Sequence, residues 1–75
     1  DKTAFRIYPN PAKDFFQIES NESGMVKIKD MSGKTVLKRN SIKSGDSIRF
    51  SLPNGIYVVE FFNGKQKQTQ KLIVR

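Results

Sequence analysis

The chain has 75 residues, of which 36% are hydrophobic, and it contains neither cysteine nor histidine. This length suits one compact domain with a thin core, and the composition excludes disulfide stabilisation and the usual zinc ligands. Lys and Arg outnumber Asp and Glu by 14 to 7, and the resulting formal charge of +7 attracts phosphates, anionic lipid or acidic polysaccharide. No apolar run approaches the roughly 20 residues of a membrane-spanning helix. The chain begins without methionine, which predicts a piece of a longer protein.

Short alternating runs bounded by Gly, Pro, Asn or Asp predict an all-β domain of the sandwich or barrel kind. Helical spacing is nearly absent from the sequence. The predicted strands, in chain order, are Phe5–Tyr8, Phe15–Glu19, Met25–Asp30, Thr35–Arg39, Ser47–Leu52, Ile56–Phe62 and Gln66–Val74.

Alternation of side chains along a strand predicts which residues are buried. Phe16 and Ile18 are expected on the buried face of the second strand. The third and fifth strands alternate apolar with basic or polar residues. The sixth run, IYVVEFF, is apolar on one face and mostly apolar on the other except for Glu60. This pattern predicts a central, well-covered strand.

Between the strands, each glycine is expected in a turn, where it supplies a positive φ at little steric cost. Asn63-Gly64 predicts a hairpin with a two-residue connection, the strongest hairpin signal in the chain. The segment MSGK at Met31–Lys34 predicts a second hairpin.

The first predicted strand ends at two prolines, Pro9 and Pro11. Neither proline can donate to a ladder, and Tyr8 and Asn10 before them are pushed to extended conformations. Asn10 is expected to hydrogen-bond nearby backbone. The segment is interpreted as a rigid corner that carries the chain from one sheet edge to another.

The residue types of a catalytic site are missing. Without His or Cys, catalysis needs Ser or Thr activated by Lys, or a pair of carboxylates, and the acids stand alone near predicted turns or on polar faces. No calcium loop or phosphate-binding glycine loop appears, so no enzyme activity, cofactor or metal is expected. The sequon Asn21-Glu22-Ser23 fits an N-glycan acceptor in an accessible turn, but a polar turn between two strands is the preferred interpretation.

Basic side chains recur on the predicted outward faces and in the last hairpin, at Lys27, Lys29, Arg49, Lys65, Lys67 and Lys71. A nucleic-acid platform needs aromatic rings among them to stack bases, and only Tyr8 and Phe15 are candidates. We interpret these charges as solubilising and as protecting exposed strand edges. No nucleic-acid partner is therefore expected.

Four segments then form a recognisable series: IYPNPAKD at Ile7–Asp14, VKIKDMSGKTVL at Val26–Leu37, LPNGIYVVEF at Leu52–Phe61 and KLIVR at Lys71–Arg75. In this order and spacing they resemble the C-terminal type A sorting domain of the type IX secretion system, also called the Por secretion system. The resemblance covers nearly the whole chain.

The resemblance implies a small Ig-like β-sandwich of about seven mostly antiparallel strands. It implies one domain over residues 1–75, with residues 1–4 a linker remnant near a cleavage point. Such a domain is a non-enzymatic signal at the end of a Bacteroidetes cargo protein. It directs the cargo from the periplasm across the outer membrane, with transient membrane association, and a sortase-like surface protease then removes it at the cell surface.

The resemblance also implies roles by residue. Tyr8, Pro9, Asn10 and Pro11 match the first family motif, with a structural role, and Gly55 and Tyr57 match the late motif. The terminal motif, associated with recognition by the export machinery, is matched by Lys71, Leu72, Ile73, Val74 and Arg75. The implied partners are the translocon, its shuttle proteins and the protease.

Physical reasoning adds that a basic terminal strand suits capture by strand addition and by an acidic groove. A weak homodimer through an exposed edge strand is a further possibility. The alternative function is an Ig-like binding or adhesion module whose basic sheet face holds polyanions, either glycan or nucleic acid.

Overall fold

The structure is a computed structural model that describes residues 5–75. Its strands are β1 (Phe5–Tyr8), β2 (Phe15–Ser20), β3 (Gly24–Lys29), β4 (Thr35–Ile42), β5 (Ser47–Arg49), β6 (Gly55–Phe62) and β7 (Lys67–Val74). Residues 1–4, the predicted linker remnant, lie outside the described residues. Within residues 5–75 there is no helix of the length and apolarity that a membrane span requires.

The strands form two antiparallel sheets that enclose the core between them. The small sheet has the order β1-β2-β5, and the large sheet has the order β4-β3-β6-β7. In an Ig constant-type sandwich the fourth strand joins the first, second and fifth, whereas here β4 pairs with β3. The predicted small all-β sandwich of about seven mostly antiparallel strands is confirmed.

The core follows the predicted alternation. The inward side chains of β2 and β3, which are Phe16, Ile18, Val26 and Ile28, have no exposed surface. Between the sheets, the ring of Phe5 in β1 stacks on that of Phe61 in β6, with ring centroids 5.1 Å apart. Burial of large apolar side chains from both sheets is therefore what holds the two layers together.

Strand β6 lies between β3 and β7, so the prediction of a central strand is confirmed. Its inner face is covered, because Tyr57, Val59 and Phe61 are buried. Its outer face is covered less than predicted, since Ile56 is 46% exposed and Phe62 is 41% exposed. The large sheet thus leaves apolar side chains on its outer surface.

Two strand ends differ from the prediction by three residues, and the other differences are of one residue. Strand β5 ends at Arg49 instead of Leu52, at the residue paired with the first residue of β2, Phe15, and the Phe50 amide still donates to the Asp14 carbonyl at 2.9 Å. Strand β4 continues past the predicted end at Arg39 to Ile42, whose side chain is buried in the core. Burial in the core thus accompanies the longer β4, whereas β5 stops where its partner strand begins.

The predicted two-residue connection at Asn63-Gly64 is wrong. The β6–β7 loop runs from Asn63 to Gln66, closed by the Asn63 amide donating to the Gln66 carbonyl at 3.2 Å. The Asn63 side-chain oxygen also accepts from the amides of Lys65 and Gln66, at 2.9 and 2.8 Å. This side chain caps a wider loop, in which Gly64 has a φ of 98°.

The second predicted hairpin joins β3 to β4 as expected, and Asp30 organises its turn. The Asp30 carboxylate accepts from the Ser32 hydroxyl at 2.7 Å and from the amides of Ser32 and Lys34 at 3.0 Å each. The Ser32 hydroxyl, followed by the Lys34 amide, holds the pKa of Asp30 below its ordinary value, since both favour the ionised form.

Gly24 is needed for packing and not, as predicted, for a turn. It begins β3, where a Cβ atom would lie 2.5 Å from the Phe62 carbonyl oxygen and 2.8 Å from the ring of Phe61. Neither backbone nor buried ring can yield that space. A side chain at this position would therefore push β6 away.

Tyr57 fixes the connection between β5 and β6. It lies near the start of β6, and its hydroxyl donates to the Pro53 carbonyl at 2.7 Å. A tyrosine at the same corner of Ig-like sandwiches bonds upstream backbone in this way. The match of Tyr57 to a structural motif thus has a physical counterpart.

We predict that Tyr57→Phe lowers the free energy of unfolding by about 1 kcal/mol, because the Pro53 carbonyl loses its hydrogen bond. Tyr8→Phe is the matched control, since Tyr8 is 42% exposed, and it should leave stability unchanged. Denaturant unfolding of the two variants measures both values. An equal effect at the two positions would contradict the role given to the Tyr57 hydroxyl.

Candidate functional site

The last residues of β7 lie at the edge of the large sheet, with β6 as their neighbour on one side. The register pairs Leu72 with Tyr57 and Val74 with Gly55. The late and terminal segments, which carry two of the predicted motifs, are therefore adjacent strands.

On the other side, the proline segment lies against the same residues. The Asn10 side-chain amide donates to the Lys71 carbonyl at 2.7 Å, and the Asn10 side-chain oxygen accepts from the Ile73 amide at 3.0 Å. One side chain thus occupies both the acceptor and the donor that an additional strand would use.

Ala12 continues this pairing along the strand. Its amide donates to the Ile73 carbonyl at 2.7 Å, and its carbonyl accepts from the Arg75 amide at 2.9 Å. The contact is a short parallel bridge between Ala12 and Val74. We refer to Asn10 and Ala12, with these hydrogen bonds, as the clamp.

The clamp corrects two predictions. Asn10 bonds the far end of the chain and not nearby backbone. The corner does not carry the chain between sheet edges, because β1 and β2 are antiparallel neighbours in the small sheet. Its prolines follow cis peptide bonds, Tyr8-Pro9 and Asn10-Pro11, and are exposed on the surface, as is Tyr8.

The terminal motif is divided between two environments. Leu72 and Val74 point into the core, with 0% and 2% of their surface exposed. Lys71 and Arg75 are exposed, and Ile73 is half-buried. The sequence motif therefore contains two core residues and three that face outward, as alternation requires.

The outward residues of β7 continue onto the outer face of β6. Ile73 is paired with Ile56, and Lys71 with Val58. Within residues 5–75 neither Lys71 nor Arg75 forms an ion pair. The surface at the end of β7 is therefore apolar at its centre and carries a positive charge on either side.

Two residues that contribute to this site were not predicted from the sequence. Ala12 is 1% exposed, and only its small size distinguishes it from its neighbours. Gln70 donates from its side chain to the Phe5 carbonyl, which ties β7 to β1. Local patterns contain no signal for either contact. Among the described residues, no group of three or more acidic side chains is placed to hold a metal ion.

Comparison with known families decides what this arrangement belongs to. The sequence profile of a family described as the secretion system C-terminal sorting domain matches residues 6–75. The chain belongs to this family. The match confirms the resemblance to type IX sorting domains, and this sorting domain is a non-catalytic secretion signal for translocation across the outer membrane. No curated protein matches the chain.

We predict that Asn10→Asp destabilises the sorting domain by about 1–2 kcal/mol at neutral pH. The substitution removes the donor to the Lys71 carbonyl and places a carboxylate against that carbonyl oxygen. Asn40→Asp adds the same charge at an exposed position of β4 and should have little effect. Denaturant unfolding compares the two, and equal stability of both variants would show that the clamp contributes nothing.

Proposed function

We propose that the sorting domain is recognised through the outward side chains of its terminal strand, Lys71, Ile73 and Arg75. Leu72 and Val74 anchor that strand in the core and are not contacted by the machinery. The alternating burial of these residues is the observation that carries the proposal. Two positive charges on either side of an apolar side chain are complementary to an acidic groove with an apolar floor on a partner protein.

The clamp supports recognition by side chains over recognition by strand addition. A partner strand at the end of β7 needs the outward backbone groups of Ile73 and Arg75, and Asn10 and Ala12 already bind these groups. Strand addition there requires release of the clamp. Side-chain recognition requires no rearrangement, and a strand already held in place has less conformational entropy to lose on binding.

The route that follows belongs to the same proposal. Family membership gives an outer-membrane secretion route and an interaction with the type IX machinery. We propose that the cargo waits in the periplasm, that translocon and shuttle proteins bind the terminal strand, and that a sortase-like surface protease removes the domain. The cargo then stays at the cell surface or is released.

Weak self-association through an edge strand stays a prediction. Strand β4 is one edge of the large sheet and carries Lys38 and Arg39, both exposed. Two copies paired along β4 bring these like charges together, which is unfavourable. We therefore expect a dimer only at high protein concentration or high salt.

A cargo fusion tests the proposal. A reporter with a secretory signal and this domain is expressed in a host with the type IX system, and its surface display is measured. The double variant Lys71→Glu, Arg75→Glu should reduce display at least about tenfold, because two attractions of order 1 kcal/mol become repulsions. Deletion of residues 71–75 should trap the fusion in the periplasm.

The matched control reverses the charge of one Lys and one Arg elsewhere in the domain. Lys43→Glu with Arg49→Glu changes the net charge equally at exposed positions near the small sheet, and it should leave display intact. Undiminished display of the Lys71, Arg75 variant, or an equal loss in the control, would contradict the proposal. Salt-sensitive heparin binding by a domain that is never exported would support the polyanion alternative.

The inward residues give a second comparison. Leu72→Ala should lower the free energy of unfolding by about 2–5 kcal/mol, because Leu72 is completely buried. The Lys71, Arg75 double variant should unfold like the wild type. This contrast separates loss of export caused by misfolding from loss of export caused by failed recognition.

A further inference from the structure

A groove opens on the outer face of the large sheet, away from the clamp. Its volume is about 310 Å³, and it is lined by Met25, Lys27, Lys29, Glu60, Phe62 and Lys67. Three strands contribute these side chains. A groove of this size admits one large side chain of a binding partner.

The strand register gives the groove an apolar end. Met25 of β3 is opposite Phe62 of β6, and Phe62 is opposite Lys67 of β7. Phe62 is 41% exposed and Met25 is half-buried. An aromatic ring and a thioether thus form an open apolar surface, and methionine adapts readily to different partners.

The rest of the groove is basic. Lys27 lies opposite Glu60, but Glu60 is bound at 3.1 Å by Lys29, so the one acid in the groove is already paired. Lys27 and Lys67 form no ion pair within the described part of the chain. Two ammonium groups with no ion pair among residues 5–75 therefore flank the apolar end.

We propose that this groove docks an extended acidic segment of a partner protein that carries one aromatic or long aliphatic side chain. That side chain packs between Met25 and Phe62, and the flanking carboxylates meet Lys27 and Lys67. Charge complementarity and the size of the groove carry the assignment. The site lies apart from the end of β7 and does not rest on the proposed function.

Other occupants fit the same surface less well. A second copy of the chain would bring the same lysines together in a molecule of net charge +7. A polyanion such as heparin would meet the lysines but would make no use of Met25 and Phe62, and it would pass over the Glu60 carboxylate. Both occupants are nevertheless distinguishable by experiment.

The test is an NMR titration of the 75-residue chain with a synthetic peptide of one phenylalanine flanked on each side by two aspartates. We expect shift changes at Met25, Lys27 and Phe62, with binding weakened by salt. Replacing the peptide's phenylalanine by serine, or its aspartates by asparagine, should weaken binding about fivefold each, on the scale of one exposed contact.

Variants of the chain have matched controls. Lys67→Glu should weaken peptide binding about fivefold, whereas Lys43→Glu, with the same charge change off this face, should not. Phe62→Ser should weaken binding, whereas Met31→Ser, at a side chain 70% exposed in the β3–β4 turn, should not. All four side chains are exposed, so the variants should keep the wild-type circular dichroism spectrum.

Three results would overturn the proposal. One is no binding, or shift changes outside the groove. Another is heparin binding at the same residues with no dependence on the peptide's phenylalanine, which indicates a polyanion site. The third is a dimer in sedimentation that Phe62→Ser dissociates, which indicates a second copy. None of these results bears on the export assay of Lys71 and Arg75, so the proposed function is tested separately.

Discussion

The hydrogen bonds between the clamp and the end of β7 are the constraint on which the arrangement of the terminal strand depends. Asn10 bonds the backbone of Lys71 and Ile73 across more than sixty positions of sequence, and Ala12 adds bonds to Ile73 and Arg75. The clamp belongs to the connection between strands of the small sheet, whereas β7 belongs to the large sheet. It therefore closes the sandwich at one side and covers an edge that would otherwise be open to another strand.

This constraint separates three tasks along a short strand. Its inward side chains, Leu72 and Val74, fill the core between the sheets. Its outer backbone groups bind the clamp. Its outward side chains are left for a partner, since Lys71 and Arg75 have no ion pair among residues 5–75. The proposed function therefore has the sorting signal read on a folded surface and not as a loose tail.

The outer face of the large sheet also presents outward side chains that the core does not use. Its apolar and basic residues are spread along β3, β6 and β7, and Phe62 at one end is far along β6 from Ile56 at the other. In a domain this small, surface that does not stabilise the fold is available for binding. The exposed apolar residues of β6 thus indicate the position of a binding surface, which the basic charge of the whole chain does not.

Much of the fold is predictable from the sequence because alternation is a local signal. The buried residues of β2, β3, β6 and β7 follow from period-two patterns, and the family resemblance follows from four short motifs. Strand ends and loops are less predictable. The end of β5 depends on where its partner β2 begins, since Arg49 is paired with Phe15, and the β6–β7 loop depends on the side chain of Asn63.

The clamp was beyond prediction for a physical reason. An asparagine between two prolines has an obvious local use, because its side chain readily bonds adjacent backbone. Nothing in the local pattern indicates that the partner is near the other end of the chain. The motif residues were found, and the inward position of Leu72 and Val74 follows from alternation along the strand, but the contact between the proline segment and the terminal strand required the structure.

Amide hydrogen exchange at Ile73 tests the central claim most directly. The amides of Ile73 and Thr69 point to the same outer edge of β7, because amide direction alternates along an antiparallel strand. Of these two amides, that of Ile73 donates to the Asn10 side chain and that of Thr69 does not. The clamp predicts that the Ile73 amide exchanges at least about tenfold more slowly than that of Thr69, the factor expected for one additional hydrogen bond. Equal exchange rates at the two positions would contradict it.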